Sequence, residues 1–197
     1  MNQTEKAMLH LLCRAVWQKP PDASVCEGVQ WEEMFLLAQR HKIDALLFGS
    51  IFELKEHKPP ENVLMSWQDN TMLTMVGQAY IVEQLFLLLG ALEEAGIRAV
   101  VLKGVAIKSL YPDPDLRTMS DADLLVSEKD FDAACAVFAS FSYQAVGNEL
   151  GVRTYQGPEG LRVELHQQLF DRTAYGFLAR LDERALFPVE SAAKENA

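Results

Sequence analysis

The chain has 197 residues, of which 49% are hydrophobic and 23% are charged, as in folded globular domains and unlike disordered chains. Its formal net charge of −10 disfavours binding to bulk duplex DNA, because basic residues that neutralise phosphates supply most non-specific affinity. The strongly apolar run Leu85–Leu89 is far shorter than the ~20 residues of a membrane span. Three widely spaced cysteines and no signal-peptide pattern lead us to expect a cytoplasmic protein without a membrane partner.

The first half of the chain has helical patterning. Apolar residues recur at helical spacing in four segments, which prolines separate at two places: residues 4–17, 30–41, 43–54 and 61–95. Gly77 or Gly90 is expected to bend the longest segment. We therefore predict a helical region over residues 1–95.

After Gly96 the pattern changes to alternating strands and helices. Strands are predicted at 97–102, 122–126, 142–147, 152–156 and 161–166, and helices at 104–111, 127–141 and 174–186. Ser127 and Asp130 match a capping box at the start of the second of these helices. The order predicts an α+β fold, in which a mixed β-sheet core over residues 96–190 follows the helical region. Residues 191–197 are expected to be a flexible tail.

The segment Ser120–Val126 carries two carboxylates at the mouth of a buried strand. Asp121 and Asp123 are two positions apart, so a strand places both on the same face. Neighbouring carboxylates repel each other unless a cation lies between them, and oxygen ligands suit hard divalent cations. The pair therefore predicts a metal site, although a solvated turn before a core strand has the same pattern.

Two further segments carry candidate functional groups. In Leu161–His166, apolar residues alternate with Arg162, Glu164 and His166, so one strand face has a base, an acid and an imidazole. Glu164 could be a third metal ligand or a general base, and a half-exposed edge strand would have the same alternation. Lys103 and Gly104 stand where the first strand passes into a helix, a junction at which backbone N–H groups can bind phosphate.

Together these motifs resemble an uncharacterised bacterial nucleotidyltransferase-like family within the DNA polymerase β-like superfamily, and more distantly the abortive-infection toxin nucleotidyltransferases. The resemblance covers about residues 80–170, and it is carried by Leu102–Gly104, Tyr111–Pro114, Arg117–Val126 and Glu164–His166. It implies a polymerase β-like mixed sheet. It also implies that Asp121, Asp123 and Glu164 are the catalytic residues and hold two divalent cations, Mg²⁺ or Mn²⁺.

The resemblance further implies a metal-dependent nucleotidyltransferase. Such an enzyme transfers a nucleoside monophosphate from an NTP to a hydroxyl acceptor, which could be a small molecule, a protein or a tRNA, and releases pyrophosphate. Lys103, Gly104 and Arg117 would bind the nucleotide's phosphates, and His166 would lie beside the metal ligands and orient them or the acceptor.

An alternative remains open. Val105 stands where the wider superfamily has a second small residue, so the chain could be a catalytically degenerate domain that binds a nucleotide or a protein partner. A metal-dependent phosphohydrolase is a weaker candidate. Such sites use several histidines, and three of the four here, His10, His41 and His57, lie in the helical half.

Overall fold

A computed structural model of the chain describes residues 1–149, 151–158 and 160–169. These residues belong to two compact units. The first unit comprises residues 1–83 and 105–119, and the second comprises residues 84–104 and the described residues from 120 onward. The sequence analysis predicted each region as one continuous stretch of chain, whereas each compact unit combines two separate stretches. The predicted helix at 174–186 and the tail at 191–197 lie outside the described residues.

Four helices make up the N-terminal part of the chain, as predicted: α1 (Gln3–Val16), α2 (Trp31–Arg40), α3 (Asp44–Phe52) and α4 (Glu61–Glu94). Asn2 caps α1, because its side chain accepts from the Glu5 backbone N–H while the Glu5 carboxylate accepts from the Asn2 backbone N–H. The sequence analysis missed this cap. Helix α4 runs as one continuous element of 34 residues through Gly77 and Gly90.

The core of the first unit centres on Trp67, whose side chain is fully buried. Its indole N–H donates to the Asp44 carbonyl oxygen at 2.8 Å, and its ring lies 4.9 Å from that of Phe35. The indole is therefore both packed and hydrogen-bonded, which joins helices α2, α3 and α4 around one side chain. Trp31 and aliphatic, methionine and cysteine side chains of α1 to α4 and of the segments between them complete this core.

The opposite side of α4 is unusually apolar for an exposed helix face. Met65, Met72, Leu73 and Val76 are all more than half exposed. By length and composition α4 could cross a membrane, a test that core helices of soluble proteins also pass. The absence of a membrane partner therefore stays a prediction.

The second unit contains a five-stranded mixed sheet with the order β1-β2-β5-β4-β3. Its strands are β1 (Ala99–Leu102), β2 (Asp121–Val126), β3 (Gln144–Glu149), β4 (Val152–Gln156) and β5 (Arg162–His166). Strands β2 and β5 are parallel, and the other three pairs are antiparallel. The predicted α+β class, with a helical region before a mixed sheet, is confirmed.

Helices accompany the sheet as expected, with one local difference. Helix α5 (Gly104–Lys108) has five residues, and α6 (Phe131–Ser140) follows a short 3-10 turn at Glu128–Asp130. The predicted capping box does not form: the Ser127 hydroxyl donates to the Asp130 carboxylate at 2.6 Å instead of accepting from a backbone N–H. The Asp130 backbone N–H that a capping box needs donates instead to the Ser127 carbonyl oxygen at 3.0 Å, which closes the 3-10 turn.

One face of the sheet forms a hydrophobic core and leaves the other face for polar residues. Leu124, Val163 and Leu165 are fully buried, and Tyr155 on the same face contacts Phe138 of α6 with the ring centroids 4.4 Å apart. Because side chains alternate along a strand, the residues between these positions point to the opposite face. The acidic residues identified in the sequence lie on that second face.

Candidate metal and nucleotide site

A row of cross-strand partners defines the polar face of the sheet. Leu102, Asp123, Glu164, Thr154 and Gly147 are successive register partners across β1, β2, β5, β4 and β3. Partners in register point to the same face, so the parallel pairing of β2 and β5 places Asp123 and Glu164 side by side. Two residues earlier on both strands, Asp121 and Arg162 are the preceding register partners on this face.

Three potential metal ligands converge at this row. One ligand atom from each of Asp123, Glu164 and His166 lies within 4.8 Å of the others. The His166 ring nitrogen Nε2 is 3.2 Å from Asp123 Oδ1 and 3.9 Å from Glu164 Oε2. Carboxylate oxygen and imidazole nitrogen are both ligands for divalent cations, so this donor set fits a metal ion.

Burial strengthens the electrostatics of this cluster. Asp123 is 6% exposed, and its buried carboxylate is charge-compensated by Lys103, whose Nζ lies 3.2 Å from Oδ1. The Lys103 side chain is itself 72% exposed, so it reaches Asp123 from the solvent side. A buried carboxylate requires such a partner, because an uncompensated charge of low exposure is costly.

Among the predicted acids and the predicted histidine, Asp123, Glu164 and His166 lie together, whereas Asp121 lies outside this group. Asp121 begins β2 and is half-buried, on the same face as Asp123. The group that converges includes His166 instead, which the sequence analysis had placed beside the ligands. Arg162, which was not among the predicted site residues, reaches Glu164 Oε1 with its Nη2 at 3.5 Å. Its position two residues before Glu164 on the same strand face was the available signal.

The predicted phosphate-binding residues have distinct surroundings. Lys103 and Gly104 both have positive φ angles, 31° and 39°, where the chain turns from β1 into α5. Arg117 belongs to the first unit, where its guanidinium lies 5.6 Å from the centre of the Tyr111 ring. Among the described residues, the Nε and Nη1 atoms of Arg117 are buried without a hydrogen-bond partner. Buried donors normally find an acceptor, so these two atoms are exceptions within the described part of the chain. The nucleotide-binding roles of Gly104 and Arg117 stay predictions.

A buried polar cluster in the first unit holds the end of the loop that precedes β2. Gln78 of α4 donates through Nε2 to the Met119 carbonyl at 3.0 Å and accepts from the Met119 N–H at 2.9 Å. Lys108 Nζ donates to Gln78 Oε1 and to the Arg117 carbonyl, each at 3.3 Å. Burial lowers the pKa of the Lys108 amine. The sequence analysis missed Gln78, although a polar residue in line with the buried Val63, Trp67 and Thr71 was a usable signal.

A groove of about 600 Å³ lies over the strands next to Glu164. Its lining mixes polar and apolar side chains: Val146, Gly147, Glu149, Val152, Thr154, Arg162 and Glu164. Its volume is within the range of small-molecule sites in proteins. The groove thus reaches from the converging ligands across β5, β4 and β3.

Comparison with known proteins agrees with the chemistry of this face. No curated protein matches the chain. The sequence matches the family described as uncharacterised nucleotidyltransferases over residues 27–193, which includes β1 to β5 and every predicted site residue. That match covers most of the chain and supports a general nucleotidyltransferase function. The chain therefore belongs to this nucleotidyltransferase family.

Proposed function

We propose that the protein is a metal-dependent nucleotidyltransferase that transfers a nucleoside monophosphate from an NTP to a hydroxyl acceptor. The observation that carries the proposal is the convergence of Asp123, Glu164 and His166 on one sheet face of a nucleotidyltransferase-family chain. The convergence of ligands does not suffice alone, because exposed acidic groups are common without a metal. Family membership does not suffice alone either, because it assigns no chemistry to a given residue.

Asp121, Asp123 and Glu164 would hold the divalent cations, Mg²⁺ or Mn²⁺. Bound there, the cations would supply charge neutralisation at the phosphoryl oxygens and favour the ionised form of the acceptor hydroxyl. The support is the placement of all three acids on one face, with Asp123 and Glu164 as direct register partners. Asp123 is central to this arrangement, because it neighbours Asp121 along the strand and Glu164 across it.

Glu164 is the candidate base for the acceptor. It is half-buried at the edge of the groove, and Arg162 Nη2 lies 3.5 Å from its Oε1, which helps to orient the carboxylate. In the reaction the acceptor oxygen forms a bond to the α-phosphorus while its proton passes to Glu164. The bond between the α-phosphorus and the bridging oxygen breaks, and pyrophosphate leaves with the electron pair.

Lys103 is the candidate cation for the triphosphate. Its ammonium pairs with Asp123, but the side chain is mostly exposed and can turn toward an incoming phosphate without unpacking a core. The phosphate would replace the carboxylate as the partner of Lys103 once a metal cation compensates Asp123.

The groove beside Glu164 favours a small-molecule acceptor over a protein or a tRNA. Glu149, Thr154 and Arg162 offer hydrogen-bonding groups, and Val146 and Val152 offer apolar contact. A polar molecule with several hydroxyl groups suits such a lining. The net charge of −10 also disfavours a long polynucleotide acceptor.

The second candidate function is a degenerate nucleotidyltransferase domain that binds a nucleotide or a protein partner without transfer. Val105 in place of a small residue favours it, as does the Lys103 ammonium, which compensates Asp123 without any metal. In that case Lys103 and Asp123 would be a permanent ion pair.

Thermal unfolding with each of the four NTPs, with and without Mg²⁺ or Mn²⁺, tests the proposal. A nucleotide at about 100 times its dissociation constant stabilises the native state by about 2.7 kcal/mol, which a melting curve resolves. We expect a metal-dependent shift that Asp123→Asn removes and that Asp132→Asn, an exposed aspartate on α6, retains. Release of pyrophosphate with candidate acceptors then separates transfer from binding. Nucleotide binding without metal dependence would favour the degenerate domain.

A further inference from the structure

We propose that His166 is itself a metal ligand, so that Asp123, Glu164 and His166 form a mixed carboxylate–imidazole site that selects a first-row transition-metal dication over Mg²⁺. The inference rests on the proposed function for the use of this site, and it narrows the class of ion. It also changes the role of His166 from orienting the ligands to binding the ion.

The distances at the site suit direct coordination. An octahedral ion with bonds of about 2.1 Å keeps neighbouring ligand atoms about 3.0 Å apart and opposite ones about 4.2 Å apart. The His166 Nε2 atom lies 3.2 Å from Asp123 Oδ1 and 3.9 Å from Glu164 Oε2, between these two limits. All three ligand atoms lie within 4.8 Å of one another, a spacing close to that around one shared ion.

The position of the imidazole ring favours a ligand over a solvent-facing side chain. The His166 side chain is 14% exposed and ends β5, where its backbone pairs with Leu125. From that position its Nε2 atom reaches back toward Asp123 rather than outward. Asp123 and Glu164 thus both present oxygen atoms to the same ring nitrogen. A shared dication stabilises such an arrangement of two carboxylates around one imidazole nitrogen.

The nitrogen ligand decides the class of ion. Mg²⁺ prefers an all-oxygen environment, whereas imidazole binds manganese, iron, cobalt and zinc dications more strongly. A site with two carboxylates and one imidazole is therefore expected to prefer these ions. A site of carboxylates alone would bind Mg²⁺ without such a penalty.

Binding of Mn²⁺ to the full chain without nucleotide tests the assignment, with Mg²⁺ affinity measured by competition. We expect Mn²⁺ to bind more tightly than Mg²⁺, and His166→Gln to weaken Mn²⁺ binding by at least about tenfold, because changes even outside the ligand sphere cost 10–100-fold. The same variant should change Mg²⁺ affinity much less. His57→Gln is the matched control, since His57 is an exposed histidine in the first unit.

Pulsed electron paramagnetic resonance of the Mn²⁺ complex supplies a readout that does not depend on activity. Direct ligation predicts nitrogen hyperfine coupling from one imidazole, which disappears in His166→Gln and persists in His57→Gln. Three results would overturn the proposal: no Mn²⁺ binding, bound Mn²⁺ without nitrogen coupling, or equal losses of Mn²⁺ and Mg²⁺ affinity in His166→Gln. Nitrogen-coupled Mn²⁺ without any nucleotidyl transfer would instead reject only the proposed function.

Discussion

His166 Nε2 lies 3.2 Å from Asp123 Oδ1, although 43 positions separate the two residues in the chain. The same Asp123 oxygen also lies 3.2 Å from Lys103 Nζ. One buried carboxylate oxygen is therefore shared by an imidazole from β5 and an ammonium group from the turn that follows β1. Asp123 is therefore the residue that contacts both Lys103 and His166, and the proposed metal binding depends on it most.

Asp121 and Asp123 are expected to differ in their effects. Asp123 belongs to the converging group with Glu164 and His166, whereas Asp121 lies two register pairs away, opposite Arg162. We expect Asp123→Asn to abolish both Mn²⁺ binding without nucleotide and nucleotidyl transfer. Asp121→Asn should abolish transfer and change Mn²⁺ binding less than tenfold. Titration of each variant with Mn²⁺, beside an assay of pyrophosphate release, measures the difference. Identical metal affinities for the two variants would contradict this reading of the site.

Lys103→Met is predicted to strengthen metal binding and weaken nucleotide binding. Removing the ammonium frees the buried Asp123 carboxylate from its charge partner, so a metal cation no longer competes with Lys103, and we expect metal affinity to rise at least about twofold. The NTP-dependent rise in melting temperature should decrease at the same time, because the phosphate loses a cation. Lys129→Met, an exposed lysine of the same unit, is the control for net charge. A gain in nucleotide affinity in Lys103→Met would rule out the phosphate role.

Gln78→Ala is predicted to destabilise the protein by about 3 kcal/mol, because it leaves buried polar groups of Met119 without partners. It also removes an acceptor from the buried Lys108 amine. Urea unfolding measures the change. Gln68→Ala, an exposed glutamine on the same helix, should change the free energy of unfolding by less than about 0.5 kcal/mol. Equal effects of the two substitutions would mean that the cluster contributes nothing.

The Cys26 thiol is predicted to lower the unfolding free energy as the pH rises from about 9 toward about 11. Burial raises the pKa of the Cys26 thiol to about 11 from a usual value of 9.0. In that interval the unfolded chain has released a proton that the folded chain retains, so rising pH favours unfolding. Cys26→Ala should flatten this slope, and Cys13→Ala, at an exposed cysteine, should leave it unchanged. Urea unfolding between pH 8 and 10 limits interference from Tyr155, whose pKa burial raises to about 12.

Local sequence patterns were sufficient for the elements and for the faces of the strands. Helical spacing predicted α1 to α4 within two residues at each end, and alternation predicted β5 with Glu164 and His166 on one face. Hydrophobic periodicity depends on neighbours along the chain, so it can be read without a structure. The prediction of a capping box at Ser127 was wrong, because periodicity along the chain does not determine which groups hydrogen-bond there. Two side-chain groups there hydrogen-bond to each other, a choice that residue identities alone do not decide.

Pairing between distant segments accounts for what the sequence left open. The spacing of Asp121 and Asp123 already required a shared strand face, and it made both acids equivalent candidates. The parallel register of β2 and β5 then distinguished them, because it set Asp123 rather than Asp121 opposite Glu164. A shift of the register by one residue would have pointed Glu164 to the opposite face. Long-range pairing also decides the surroundings of Gln78, whose hydrogen-bond partners Lys108 and Met119 lie 30 and 41 positions further along the chain.

The amino-acid order thus determined the α+β class, the family motifs and the set of acids, since each depends on residue type and short spacing. Tertiary structure decided which of these side chains meet: Asp123 with Glu164, His166 and Lys103. The physical reason is that a metal site requires atoms within a few ångströms of one another. Only strand pairing across long stretches of chain brings such atoms together.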